Sequence, residues 1–189
     1  ILGQNVLLEK QALGNGKFSS LQQLLSIGHG KCRLSIAVPH DFTYDSIANL
    51  NGKVIATSYS GLLRQYLNTH NIEADIVTME GAVEVAPRTH LADVVCDLVS
   101  TGSTLISNGL IEKDVILQSQ AVLVTNQISD PKIAALAVKI TSRIKAVLRA
   151  ENSRYIMLNS PTESLAAIKA VLPGSQSPTV MPLQGCDNM

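Results

Sequence analysis

A chain of 189 residues, 46% of them hydrophobic and 16% charged, carries enough apolar material for one or two compact domains and is not a disordered tail. Fifteen basic residues balance fifteen acidic ones, which excludes the electrostatic footprint of a nucleic-acid or anionic-membrane partner and points to small molecules or other subunits. Cys32, Cys96 and Cys186 are odd in number, widely spaced and form no CxxC pair, so neither a disulfide framework nor a zinc site is expected and a reducing, cytoplasmic setting fits.

The opening ILGQNVLLEK is strand-like and runs into an amphipathic stretch without the charged-then-apolar pattern of a secretory signal. Because it begins at Ile1 without a methionine, the chain is expected to start inside a domain. No apolar run approaches the roughly 18 residues of a membrane helix. From Lys31 to Thr125, short β-rich runs alternate with helical spacing, the mark of βαβ units feeding a mainly parallel sheet. The strands expected are CRLSIAVP from Cys32, KVIATS from Lys53, ADIVTM from Ala74, ADVVCDLV from Ala92, DVILQS from Asp114 and AVLVTN from Ala121. YSGLLRQYLNTH from Tyr59 and STLISNGL from Ser103 have helical spacing, the second stopping at Asn108-Gly109.

Asp130-Pro131 opens a long helix in which Ile133, Leu136, Ala137, Ile140, Ile144, Val147 and Leu148 form an apolar stripe, with Lys139, Arg143, Lys145 and Arg149 on the solvated side. A new unit then follows: a strand RYIMLNS, a helix that Ser160 to Glu163 would start as a capping box, and a strand SPTVMPL. Such a β-α-β run cannot bury its own faces and reads as the start of a small α+β domain. The connectors 14–20, 126–132 and 172–178 are turn-rich.

The usual phosphate, dinucleotide, zinc-protease and serine-hydrolase signatures are absent, and His29, His40, His70 and His90 are scattered. The informative segment is ADVVCDLVSTGSTL, Ala92 to Leu105, where an apolar strand runs into a Gly/Ser/Thr turn and a helix, the place at which α/β sheets receive ligands. Backbone N–H groups of Thr101, Gly102, Ser103 and Thr104, with three hydroxyls, form a cluster of donors suited to a phosphate monoester. Asp97, inside the run Val94 to Val99, needs a partner for its desolvated carboxylate, and ribose hydroxyls would serve. On these residues alone, an ordinary helix start with an internally paired Asp97 remains open. Thr57 and Ser58, at a strand end before a helix, form a second candidate anion site for a nucleotide or pyrophosphate. Arg88, after Pro87, is either a phosphate contact or a structural ion-pair partner. Asp93 begins a strand and is equally explained as its cap.

The stretch GAVEVAPRTHLADVVCDLVSTGSTLISNGL, Gly81 to Leu110, resembles the most recognisable segment of the ATP phosphoribosyltransferase family, and GQNVLLE, NGKVIATSYSGLLRQYL and SRYIMLNSPTESL extend the resemblance over nearly the whole chain. It implies an α/β fold with a two-lobed catalytic core like type II periplasmic binding proteins, followed by the start of a small α+β, ferredoxin-like regulatory domain of the long form. The implied divisions are 1–19, ending the first part of lobe I; 20–112, lobe II with the phosphoribosyl pyrophosphate loop; 113–152, the return to lobe I; and 153–189, the regulatory domain, cut short.

Carried over residue by residue, the resemblance implies that Thr101, Gly102, Ser103 and Thr104 bind the 5-phosphate of phosphoribosyl pyrophosphate and that Asp97 and Glu84 hold its ribose hydroxyls. Many phosphoribosyltransferases have two adjacent acids before this turn; here Leu98 follows Asp97, so Glu84 would be the second carboxylate. The implied reaction, the first step of histidine biosynthesis, joins phosphoribosyl to N1 of ATP and releases pyrophosphate, with Mg²⁺ neutralising the leaving group. Histidine would be a feedback inhibitor and the chain part of a homo-oligomer, a hexamer or a dimer. No nucleophile or general base is assigned. The rivals are a two-lobed anion-binding module without catalysis and an inactive regulatory paralogue. The missing export signal and the carboxylates beside the phosphate loop weigh against the first; Glu84, Asp97 and the Thr-Gly turn weigh against the second.

Overall fold

The computed structural model describes residues 1–14, 16–151, 154–172 and 179–182. They divide into two compact units, Ile1–Arg149 and Ala150–Met189.

The first unit holds two sheets. Strands β1 (Leu2–Gly3), β2 (Gln22–Ser26) and β8 (Ala121–Thr125) form a small antiparallel sheet with β8 in the middle. Strands β3 (Cys32–Pro39), β4 (Val54–Thr57), β5 (Asp75–Thr78), β6 (Val94–Val99) and β7 (Leu110–Ser119) form the larger sheet in the order β5-β4-β6-β3-β7. Helices α1 (Gln4–Ala12), α2 (Gly16–Ser19), α3 (Ser60–Thr69), α4 (Ser103–Ser107) and α5 (Pro131–Glu151) complete the helical elements, with 3-10 turns at Ile47–Leu50 and Val83–Val85.

The larger sheet is mixed in its pairing, with two parallel and two antiparallel ladders, although four of its five strands share one direction. β4 pairs parallel with β5 and β6, but β3 runs antiparallel to both β6 and β7. β4, β5, β6 and β7 share one direction because α3, the Val83–Val85 turn and α4 each carry the chain back to the same sheet end, and β3, lying between β6 and β7, runs against them. Sheet membership changes between Ser26 and Cys32 and again at Gln120, later than the expected divisions after 19 and 112, because Gln22–Ser26 pairs with β8 and β7 stays on β3 as far as Ser119.

Period-two alternation sorts the side chains into two cores. Leu34, Ile36, Val38, Ile55, Val94 and Cys96 pack with Leu63 and Leu67 of α3. Ala37, Ala56, Val95 and Val99 point to the other face and pack with Val83, Ala86 and Leu105. The small residues Ala37 and Ala56 leave room there for the 3-10 turn to approach the sheet. This face also carries Asp97, directly opposite Ser35 in the β3–β6 ladder.

Other differences from the sequence reading are local. Connector 14–20 contains the short helix α2, β2 was not expected, and β7 begins four residues before Asp114, at Leu110. Helix α5 starts at Pro131 as expected, with Asp130 Oδ1 accepting the Lys132 N–H at 2.7 Å. Its half-buried residues are Ala134, Ala137, Thr141, Ile144 and Leu148, while Ile133, Leu136 and Ile140 of the apolar stripe remain exposed.

In the second unit, Arg154–Ser160 forms no strand, and Thr179–Pro182, the described part of SPTVMPL, forms none either. A 3-10 turn, Thr162–Ser164, leads into α6 (Leu165–Val171), but Pro161 occupies its cap position without a side-chain hydrogen bond, so no capping box forms there. Ser160 is one residue too early to cap that turn. The rest of SPTVMPL, most of the connector 172–178, and Cys186 lie outside the described residues.

Candidate functional site: a carboxylate pair beside a left-handed glycine turn

At the end of β6, Ser100 and Thr101 lead to Gly102, whose φ of 85° and ψ of −3° place it in the left-handed region. A Cβ there would lie 3.8 Å from Val99 Cγ1, so the backbone conformation, not crowding, calls for glycine. Gly102 starts α4 without a side-chain cap, which leaves the first-turn N–H groups free of internal side-chain acceptors. Thr101, Ser103 and Thr104 are exposed, and the hydroxyls of Thr101 and Ser103 lie 3.1 Å apart. Leu105, immediately after them, is buried beside Val83 and anchors the helix to the sheet. Asn108 and Gly109, at φ 74°, end it as the sequence indicates.

Asp97 is half-buried, with Oδ1 accepting the Leu98 N–H at 2.7 Å. Burial pushes its carboxyl above the ordinary range, the Leu98 N–H pulls it back, and the negative charge of Glu84 pushes it up again. The protein therefore leaves the Asp97 charge incompletely compensated and places a second carboxylate within electrostatic reach. Glu84 lies in the 3-10 turn held against the sheet by buried Val83, directly after Ala82, which adopts a left-handed φ of 51° rarely taken by a residue with a Cβ. The Tyr59 phenol is also near: burial raises it, a hydrogen bond from Asn5 opposes this, and the Asp97 charge adds to the rise.

The structure therefore unites Glu84, Asp97 and the loop from Thr101 to Thr104 at one end of one sheet face. It does not bring in the second candidate anion site. The Thr57 side chain is fully buried and its hydroxyl accepts the Tyr59 N–H at 2.9 Å; Ser58 donates to the Met79 carbonyl at 2.7 Å. The start of α3 is already filled by an internal anion, because buried Glu9 accepts the Gly61 and Leu62 N–H groups, each at 2.9 Å. Thr57 is thus structural, and Ser58 flanks an occupied helix end. Arg88 is exposed, with no side-chain partner among the described residues. Asp93 caps β4, its Oδ2 accepting the Val54 N–H at 2.8 Å.

The sequence reading missed Arg33, Ser35 and Glu112. The Arg33 guanidinium forms a two-point pair with the Glu112 carboxylate and donates from Nη1 to the Ser100 carbonyl at 3.2 Å, while Ser35 Oγ donates to Glu112 at 2.7 Å. The signal was Arg33 and Ser35 on alternate positions of an otherwise apolar strand, the positions facing the Asp97 side. An open depression of about 370 Å³, lined by Gly52, Arg64, Asn68, Glu73 and Asp75 among others, lies where β4 and β5 begin and contains none of these groups.

The fold defines an α/β protein whose two-sheet core is of the two-lobed kind found in periplasmic binding proteins. The family description "ATP phosphoribosyltransferase" matches residues 1–146 and "HisG, C-terminal domain" matches residues 150–189. The chain belongs to the ATP phosphoribosyltransferase family, pentosyltransferases of histidine biosynthesis. It is similar to the ATP phosphoribosyl transferase (HisG:HisZ) complex from Thermotoga maritima, with 27% identity, a TM-score of 0.65, and coverage of 78% of this chain and 68% of that one. At the level of fold alone it is similar to holo ArgBP from T. maritima, with 14% identity, a TM-score of 0.51, and coverage of 74% and 60%.

Proposed function

We propose that the cleft end of the β6 sheet face binds phosphoribosyl pyrophosphate, with the loop Thr101 to Thr104 holding the 5-phosphate and Asp97 with Glu84 accepting hydrogen bonds from the ribose hydroxyls. The observation that carries this reading is half-buried Asp97 on the sheet face that packs the Glu84 turn, four residues before a left-handed glycine turn whose N–H groups have no side-chain cap. A simple anion trap would not place two carboxylates beside its phosphate site, whereas a phosphorylated ribose needs donors at one end and acceptors at the other.

The reaction is a displacement at the anomeric carbon: N1 of the ATP adenine forms the new bond as the bond to the pyrophosphate oxygen breaks. The residues named here align the sugar and hold its two ends. Among the described residues no group of three or more metal-ligating side chains occurs. Glu84 and Asp97 are the carboxylates of this site that would help hold Mg²⁺, which would neutralise charge on the leaving pyrophosphate. Feedback by histidine through residues 150–189, homo-oligomeric assembly and a cytoplasmic location belong to the same reading.

The test is titration and steady-state kinetics on the full-length chain. Replacing Thr101 or Thr104 with valine should weaken phosphoribosyl pyrophosphate binding by about 1–3 kcal/mol without altering the fold. Asp97→Asn and Glu84→Gln should each lower turnover, read as formation of phosphoribosyl-ATP by absorbance. Unchanged affinity in both threonine variants, or normal turnover in both carboxylate variants, would remove the corresponding assignment.

A further inference from the structure

We infer that Arg33 is a positioning residue for the phosphate loop: clamped by Glu112, its guanidinium holds the Ser100 carbonyl and thereby aims the Thr101 N–H at the bound phosphate. The inference rests on the loop assignment proposed above and adds to it the device that sets the loop's first donor.

β6 ends at Val99, so the Ser100 carbonyl lies just beyond the strand, at the point where the chain turns. Arg33 sits opposite Val99 in the β3–β6 ladder, the last registered pair before the loop, and its Nη1 reaches that carbonyl at 3.2 Å. The Ser100 carbonyl and the Thr101 N–H belong to one planar peptide, and no described peptide is cis, so they point in opposite directions. Holding the carbonyl toward Arg33 on β3 therefore fixes the N–H on the other side of the turn. Left alone, that peptide plane could rotate about its flanking bonds, since Ser100 and Thr101 are exposed and Gly102 is intrinsically permissive.

The clamp has the build of a support rather than of an ordinary surface pair. An exposed ion pair stabilises little because two long side chains must be ordered for one screened contact. Here the pairing is two-point, both side chains are more than two-thirds covered, at 29% and 23% exposure, and Ser35 supplies a third bond to the Glu112 carboxylate. Ser35 is also the residue opposite Asp97, so one polar cluster ties together the strand that carries the ribose acid and the loop that follows it. A planar guanidinium can serve Glu112 and the Ser100 carbonyl at once, whereas a lysine ammonium on the same stem lacks the spread of donors to do so.

The experiment measures KM for each substrate, turnover and thermal midpoint in the full-length chain for Arg33→Lys, Arg33→Met and Glu112→Gln, beside Thr101→Val and Thr104→Val. The expected result is that Arg33→Lys raises KM for phosphoribosyl pyrophosphate by about tenfold while KM for ATP and the thermal midpoint stay near wild type. Arg33→Met should raise it at least as far, and Glu112→Gln by less, because the glutamine oxygen still accepts one bond. Should Arg33→Met fail to fold, Arg33→Lys and Glu112→Gln decide the matter. If the threonine variants weaken substrate binding but Arg33→Lys does not, or if Arg33→Lys shifts both KM values and the midpoint together, the positioning role is overturned. If the threonine variants have no effect, it is the loop assignment that fails, whatever the arginine variants do.

Discussion

Replacing Glu9 with alanine removes the carboxylate that fills the start of α3 and exposes how much an internal anion contributes there. Glu9 is 5% exposed, and its two carboxylate oxygens each accept one N–H at 2.9 Å, from Gly61 in a buried setting and from Leu62 in a partly buried one. A buried donor left unsatisfied costs about 1–3 kcal/mol, and a carboxylate at a helix start adds about 0.3–1 kcal/mol by interaction with the aligned peptide dipoles. Counting the Gly61 bond near the middle of that range, the Leu62 bond at its low end and a modest dipole contribution gives about 3 kcal/mol. For a unit of this size, that is a fall in thermal midpoint of roughly 6–12 °C. Glu9→Gln keeps one acceptor and turns an amide donor toward the other N–H, so it should lie between wild type and Glu9→Ala. Circular dichroism melts and urea titrations of the full-length chain read both. A loss below about 1 kcal/mol for Glu9→Ala would mean that water satisfies both N–H groups and that the α3 terminus is not the closed, internally filled site described here.

Asp97 should show a stability cost of function. Its folded carboxyl titrates above its ordinary value, so ionisation is easier in the unfolded chain and the stability associated with this group is full below about pH 4 and lost as pH rises through its folded value. Unliganded Asp97→Asn should therefore melt higher than wild type at neutral pH, with the difference closing below about pH 4; an equal or lower midpoint at neutral pH counts against the site electrostatics. Glu112 has the opposite sign, because hydrogen bonding to Arg33 holds its carboxyl below the usual range, so its contribution is present at neutral pH and lost on acidification. Gly61→Ala would place a Cβ 3.0 Å from Ala12 Cβ and 3.1 Å from Leu13 Cγ, so overpacking between α1 and α3 should outweigh the helix propensity gained, for a net loss of about 1–2 kcal/mol in a urea titration. A stabilised Gly61→Ala would show that α1 yields freely at this contact.

Much of the molecule was legible in one dimension because its causes are local. The alternation in CRLSIAVP and ADVVCDLV sorts side chains by face, and both runs are strands at nearly the expected limits. Pro131 opens α5 and Gly109 closes α4 because a fixed φ suits a first helical turn and a positive φ suits a helix exit. The Thr-Gly turn, with an acid four residues before Thr101, follows from the same short-range chemistry. Strand direction, by contrast, depends on the path the chain takes between strands, so the mixed order β5-β4-β6-β3-β7 was not readable from strand propensity. Nor could the sequence show that the start of α3, where Thr57 and Ser58 look like an anion site, already holds a carboxylate from 52 positions earlier. The meeting of Glu84 with Asp97, and of Arg33 with both Glu112 and Ser100, is likewise a property of the folded sheet. Hydrogen-bond and charge partners are chosen by distance in space, and only the tertiary structure brings residues 67 or 79 positions apart within reach of one guanidinium.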